Sequence, residues 1–364
     1  MQTLRIRALH TAFLAVREVR ARMISSAVIL LAVTGACSNA APAAQQATGS
    51  NESLASDATE SKLVVGYLPS WRGALSEWTQ TLDFSALTHV NLAFATLETQ
   101  NDELAIHYRQ DGGSGDEPGL AAFVAKAHAN GVKVCLAVGG GGERSITSGN
   151  AILRAPKELA EKVALYVQDH ELDCIDADQE ELYPTAELDA AYGEFIGELG
   201  RRLHGMRKQL SAAVASWNAE KVLPVIDQFD FLNVMAYDFN RPGDSLTPVQ
   251  ASSLADAQIE LDWWVSRGAQ EEKVVLGVPF YGFKWSGSAG EAITYSQIVD
   301  QFGSAPTHDQ IEVGQSTITL NSSATIRSKA EFAKAKYAGL MIWEMGQDAS
   351  NENALLRVVK DVMR

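Results

Sequence analysis

At 364 residues the chain can form one large domain or two ordinary ones. A hydrophobic content of 46% with 21% charged residues excludes an intrinsically disordered polymer. The formal net charge of −15 argues against a nucleic-acid partner, whose phosphates need a basic surface, and makes a strongly anionic polymer a less natural ligand.

The first segment reads as a targeting sequence. Arg5, Arg7, Arg17, Arg20 and Arg22 form a positive n-region, and residues 24–33 form an apolar stretch too short for a comfortable membrane span. Thr34-Gly35-Ala36-Cys37 then resembles a bacterial lipoprotein cleavage box, with Thr34 where Leu is usual. On that reading residues 1–36 are a signal peptide, Cys37 is acylated, and the protein is an exported envelope lipoprotein that touches membrane only through its lipid. Cleavage near Ala36 or Ala40 by an ordinary signal peptidase is the competing reading, and a start at Met23 would remove the arginines. Residues 37–61, rich in Ala, Ser, Asn, Gln and Thr, read as a flexible linker. The folded domain is expected over 62–364.

Along that domain, short apolar runs at 63–67, 89–95, 133–138, 174–178, 210–215, 231–237, 273–279 and 339–343 read as strands. Helical patterns lie between them. Leu120, Phe123, Val124 and Ala127 share one face, with Gly131 suited to the helix end, and Leu159, Val163, Tyr166 and Val167 follow Pro156 at a first turn. Apolar strands alternating with helices indicate a parallel sheet, and eight such units in about 300 residues fit a single-domain (β/α)₈ TIM barrel of the α/β class. An open doubly wound sheet is the alternative, but no GxGxxG follows the first strand. Between strands seven and eight only a short insertion is expected, a helix or two and a small hairpin near 317–320. Such a small insertion implies a shallow cleft.

The stretch Asp173-Cys174-Ile175-Asp176-Ala177-Asp178-Gln179-Glu180 carries the chemistry. On a strand Asp176, Asp178 and Glu180 point to one face. Like charges so placed are costly to bury, and at least one pKa must rise. Glu180 would then hold a proton near neutral pH and act as a general acid. The competing reading, a solvated charge run, fits poorly with the apolar residues around it. Cys135 and Cys174 face the same way as the functional positions, and two buried thiols are favoured over a bond between neighbouring parallel strands. No HExxH or CxxC…CxxC spacing suggests a metal.

In a barrel the site lies at the C-terminal strand ends. There the sequence places Tyr67 and Trp71, the glycines 139–142, Asp178 and Glu180, Trp217, Tyr237 and Asp238, Tyr281 and Trp285, and Trp343. Carboxylates among tryptophans suit a carbohydrate, whose C–H faces stack on aromatic rings. Trp263 and Trp264 lie in a helical pattern and read as packing.

These motifs resemble glycoside hydrolase family 18, the chitinases and related N-acetylglucosaminidases. Asp173-x-x-Asp176-x-Asp178-x-Glu180 matches the family's DxxDxDxE signature, Val138-Gly139-Gly140 resembles its SxGG strand, and Met235-Ala236-Tyr237-Asp238 its MxYD strand. Val64-Val65-Gly66-Tyr67, Leu276-Gly277-Val278-Pro279 and Gly339-Leu340-Met341-Ile342-Trp343 resemble its first and last two strands. The resemblance implies hydrolysis of β-1,4-linked N-acetylglucosamine glycans by a monomer that needs no metal or organic cofactor. The substrate's own acetamido oxygen would replace a protein nucleophile. It implies Glu180 as acid and base, Asp178 orienting the acetamido N–H, Asp176 sharing a proton with Asp178, and Tyr237 bonding the acetamido carbonyl. Asp238, Trp343, Tyr67, Met235, Trp71, Trp217, Tyr281 and Trp285 would bind or border the sugar, with Asp173, Gly139 and Gly140 in support.

The sequence departs from the family pattern at Cys174 (usually Gly), Gln179 (usually Trp), Ala137 (often Ser) and Phe283 (often Arg). Two residues, Glu181 and Leu182, also stand between Glu180 and Tyr183-Pro184, where the family commonly has Tyr-Pro directly, which makes Glu181 a rival acid that side-chain parity disfavours. The runner-up function is a non-catalytic glycan-binding lectin on the same barrel. Action on N-glycan cores or on peptidoglycan-derived glycans would differ only in substrate.

Overall fold

The computed structural model describes residues 62–100, 103–109, 117–180 and 185–364. Cys37, the expected signal peptide and linker, and Glu181 lie outside the described residues.

Eight parallel strands close into a barrel: β1 (Leu63–Pro69), β2 (His89–Ala93), β3 (Lys133–Gly140), β4 (Cys174–Gln179), β5 (Gln209–Val214), β6 (Phe231–Val234), β7 (Val274–Pro279) and β8 (Gly339–Trp343). Each expected run falls on one of these strands, but β2 ends at Ala93 and β6 at Val234, two and three residues short of the runs expected at 89–95 and 231–237. Neighbours pair in sequence order, and β1 pairs with β8 to remove the edge. Outward residues such as Val64, Leu92, Leu136, Ile175, Leu210 and Leu340 pack against the helices, while Val65, Tyr67, Ala137, Phe231, Val275 and Met341 fill the interior. This double burial is why the strands read as continuous apolar runs. The helices at Leu120–Ala129 and Pro156–Asp169 occupy the two expected patterns, the second with Pro at its first turn. Trp264 is fully buried on the helix Leu254–Val265, as its helical spacing predicts.

The segment between β7 and β8 holds more than the expected hairpin. Strands Tyr281–Ser286, Ala289–Thr294, Gln310–Val313 and Ser316–Leu320 form one antiparallel sheet with a helix at Tyr295–Phe302. Tyr281–Ser286 sits centrally, between Ala289–Thr294 and Ser316–Leu320. A shallow cleft therefore does not follow from the size of this insertion. Its Tyr281, Phe283 and Trp285 cluster packs against Trp343.

Cys135 and Cys174 form a disulfide, which corrects the expectation of two thiols. The two residues are direct register partners on β3 and β4, and both face the barrel interior. Their Cα atoms stand 4.4 Å apart, within the range a disulfide accepts. The bond lies two residues below Asp176 on the same face of β4.

Candidate active site

The acidic row lies as strand parity requires. Asp176 and Asp178 are buried on the inner face of β4, and Glu180 follows at its C-terminal end. Two glycines on β3 permit the close packing around the row. Gly139 (φ +116°) has no space for a Cβ, which would meet the carbonyl oxygen of Asp178 at 2.0 Å. A Cβ on Gly140 (φ +90°) would strike the ring of Phe94 at 2.8 Å.

Asp176 is saturated with donors. Tyr67 donates to its Oδ2 at 2.5 Å, and Ser211 and Asn233 donate to Oδ1 at 2.7 and 2.9 Å. Burial pushes its pKa up, and these three bonds pull it back. Asp178 differs: its Oδ1 is buried without a hydrogen-bond partner among the described residues. Burial, then the charges of Glu180 and Asp176, raise its pKa well above the carboxylate range. The Glu180 carboxyl is pushed up to about 7, first by burial and then by Asp238, while Lys221 opposes the rise.

Tyr237 and Asp238 follow β6. Asp238 adopts φ +61° and accepts a bond from the Tyr281 hydroxyl at 2.6 Å, which brings the insertion to the barrel mouth. Burial raises both the Asp238 carboxyl and the Tyr237 phenol. Met235 and Trp343 are half-buried and pack in the same interior cluster as Tyr67, and the Trp343 ring lies edge-on to Tyr67 at 5.4 Å. Trp71 is 38% and Trp217 46% exposed, so each offers ring surface at the rim. Arg144 stands 4.8 Å over the Trp71 ring.

Two expected site residues are placed elsewhere. Trp285 is fully buried in the inserted sheet, where its Nε1 donates to Thr319 Oγ1 at 2.9 Å. It follows β7 in sequence, but its own strand turns the ring into a small core. Asp173 precedes β4 at the opposite end of the barrel. Its Oδ2 accepts from the Val134 N–H at 2.9 Å and contacts His128 Nε2 at 2.7 Å, so it ties strand starts together.

Sequence reasoning missed Ser211, Asn233, Phe94 and Lys221. Ser211 and Asn233 left a signal, since each is a lone polar residue on the inward parity of an apolar strand. Gln179, where the family usually has Trp, faces outward. Its amide donates to Ser145 O and Oγ at 2.8 and 3.0 Å, and its oxygen accepts from Ser148 Oγ at 2.5 Å. The substitution exchanges apolar packing for a buried polar network on the helix Glu143–Arg154 and leaves the inner face unchanged.

Comparisons with known proteins bear on the family and the fold. "Probable chitinase 10" of Drosophila melanogaster is 24% identical over 359 residues, covering 80% of this chain but only 15% of its own length. A GH18 chitinase from the chitin utilization locus of Flavobacterium johnsoniae is 28% identical, with a TM-score of 0.67 over 83% of this chain and 94% of its own. The chitinase-like agglutinin RobpsCRA of Robinia pseudoacacia shares the fold at 23% identity, with a TM-score of 0.71 over 82% of this chain and 99% of its own. Residues 63–348 match the family description "Glycosyl hydrolases family 18", and the chain belongs to that family.

Proposed function

We propose that this protein hydrolyses β-1,4-linked N-acetylglucosamine glycans, chitin or its oligosaccharides, with retention of anomeric configuration. The observation that carries the reading is the unequal state of three carboxyls in one row. Asp176 is filled by three donors, Asp178 keeps a buried oxygen unpaired among the described residues, and Glu180 is held at about 7. Paired groups driven to different protonation states are what acid–base catalysis requires.

On this reading Glu180 donates its proton to the glycosidic oxygen as the bond to the anomeric carbon breaks. The acetamido oxygen of the same sugar attacks that carbon and forms a cyclic oxazolinium-like intermediate. Asp178 Oδ1 accepts the acetamido N–H and stabilises the positive charge, and Tyr237 donates to the acetamido carbonyl oxygen. Glu180, now deprotonated, takes a proton from water as the water opens the ring, which restores the acid. Trp343 forms the floor beneath the reacting sugar, and the exposed Trp71 and Trp217 offer further stacking surface. The barrel disulfide suits an oxidising, exported setting.

Proton NMR of chitotetraose digestion tests the mechanism. The account expects β-anomer ends first, with mutarotation following. Initial release of the α-anomer would exclude the acetamido as nucleophile.

A further inference from the structure

We propose that Lys221 is a positioning residue for the reaction, a buried cation whose charge balances the carboxyls of Asp178 and Glu180. The proposal rests on the hydrolase reading above.

The site concentrates four carboxyls, those of Asp176, Asp178, Glu180 and Asp238. A lysine that is only 3% exposed bears a large desolvation cost unless its charge is answered nearby. Lys221 closes the 3₁₀ turn Ser216–Lys221, and this turn is fastened to the acidic row. Asn218, inside the turn, accepts from the Ala215 N–H at 3.1 Å and donates to the carbonyl of Gln179 at 3.3 Å. Gln179 lies between Asp178 and Glu180 in sequence. Lys221 Nζ stands 5.8 Å from the ring centroid of Tyr192, on the helix Ala186–Gly205. The turn that carries the cation is thereby tied to the end of β4 through Asn218, and its ammonium lies beside Tyr192.

Its charge opposes the rise of both carboxyls. Asp178 is raised by burial, by Glu180 and by Asp176, and Lys221 draws it down. Glu180 is raised by burial and by Asp238, and Lys221 draws it down. Among the described residues, the other ionisable groups around Glu180 and its partner Asp238 are Tyr237, Tyr281, Arg241 and Asp244. Glu180 must give up a proton in the first step and take one in the second. A pKa near neutrality serves both, whereas a carboxyl driven far above it would be a poor donor. Lys221 supplies the counterweight that keeps Glu180 within reach of both tasks.

The test compares Lys221→Met and Lys221→Arg in the full chain. Carbon-13 NMR follows the glutamate carboxyls with pH, Glu180 being identified by the resonance lost in Glu180→Gln. In parallel, kcat/KM is profiled against pH on a fluorogenic diacetylchitobioside. Lys221→Met should raise the Glu180 midpoint by about one unit or more and move the basic limb of the profile with it. Lys221→Arg should restore both. An unmoved midpoint in Lys221→Met, whatever happens to rate, would make Lys221 a packing residue and overturn the proposal. Lys221→Gln serves the same comparison if the Met variant does not fold. The NMR arm decides the question even for a chain without turnover, in which case the hydrolase reading fails separately.

Discussion

Reducing the Cys135–Cys174 bond perturbs the molecule at the base of its acidic row. The bond closes a loop of 39 residues between two strands that the fold pairs directly. In the chain-entropy account such a link removes about 13 cal/mol/K from the unfolded ensemble, or about 4 kcal/mol at 25 °C. For an ordered region of about 300 residues, with an unfolding entropy of about 2.1 cal/mol/K per residue, that lowers Tm by about 6 °C. Both sulfurs are fully buried, so the reduced form is made by reduction in denaturant and refolding with the thiols kept reduced. Calorimetry then compares the same side chains with and without the bond. Equal midpoints in the two forms would refute the reasoning, and Cys135→Ala with Cys174→Ala should repeat the loss.

Four further outcomes follow from the same geometry. Glu180 must be protonated to act as acid and titrates at about 7, so kcat/KM should fall as pH rises through about 7, and a rate flat to pH 9 would contradict this. Lys329 is fully buried, donates to Ser252 O and Oγ at 2.7 and 2.5 Å, and titrates at about 7 instead of 10.5. The unfolded chain keeps that proton to higher pH, so stability should rise between about pH 7 and 10 relative to Lys329→Met, measured by urea midpoints; parallel pH curves for the two proteins would sink the claim. Trp343→Ala should lower kcat/KM about tenfold, the effect of losing about 1–2 kcal/mol of aromatic contact. Trp285→Phe should leave KM unchanged while costing about 1–3 kcal/mol of stability, because Thr319 loses its buried partner. A raised KM in Trp285→Phe would return that ring to the binding surface.

The barrel was legible because its strands are buried on both faces and so read as uninterrupted apolar runs between amphipathic helices. The acidic row was legible because a strand's two-residue period puts Asp176, Asp178 and Glu180 together. What escaped depended on register and on neighbours across the barrel. Whether Cys135 meets Cys174 is set by the alignment of β3 against β4, which spacing along one chain does not reveal. Ser211 and Asn233 hold Asp176 from two other strands, and only the closed barrel brings them to it. Trp285 looked like a cleft residue because it follows β7, but Tyr281–Ser286 pairs with Ser316–Leu320 and turns the ring inward. The small hairpin expected near 317–320 is half of a four-stranded sheet, whose other two strands, Tyr281–Ser286 and Ala289–Thr294, the expectation of a helix or two and one hairpin did not include. Asp173 matched the family signature by position, and its contacts at the strand starts show why the spacing alone does not make it part of the site.

The most direct test of the account is turnover of a fluorogenic N,N′-diacetylchitobioside by the full chain beside Glu180→Gln. The reading predicts hydrolysis by the wild type, with a loss of about 10²-fold or more in the variant, as removal of a general acid entails. Wild-type protein that binds chitooligosaccharides tightly in calorimetry yet cleaves none would contradict it and identify a glycan-binding lectin on this barrel.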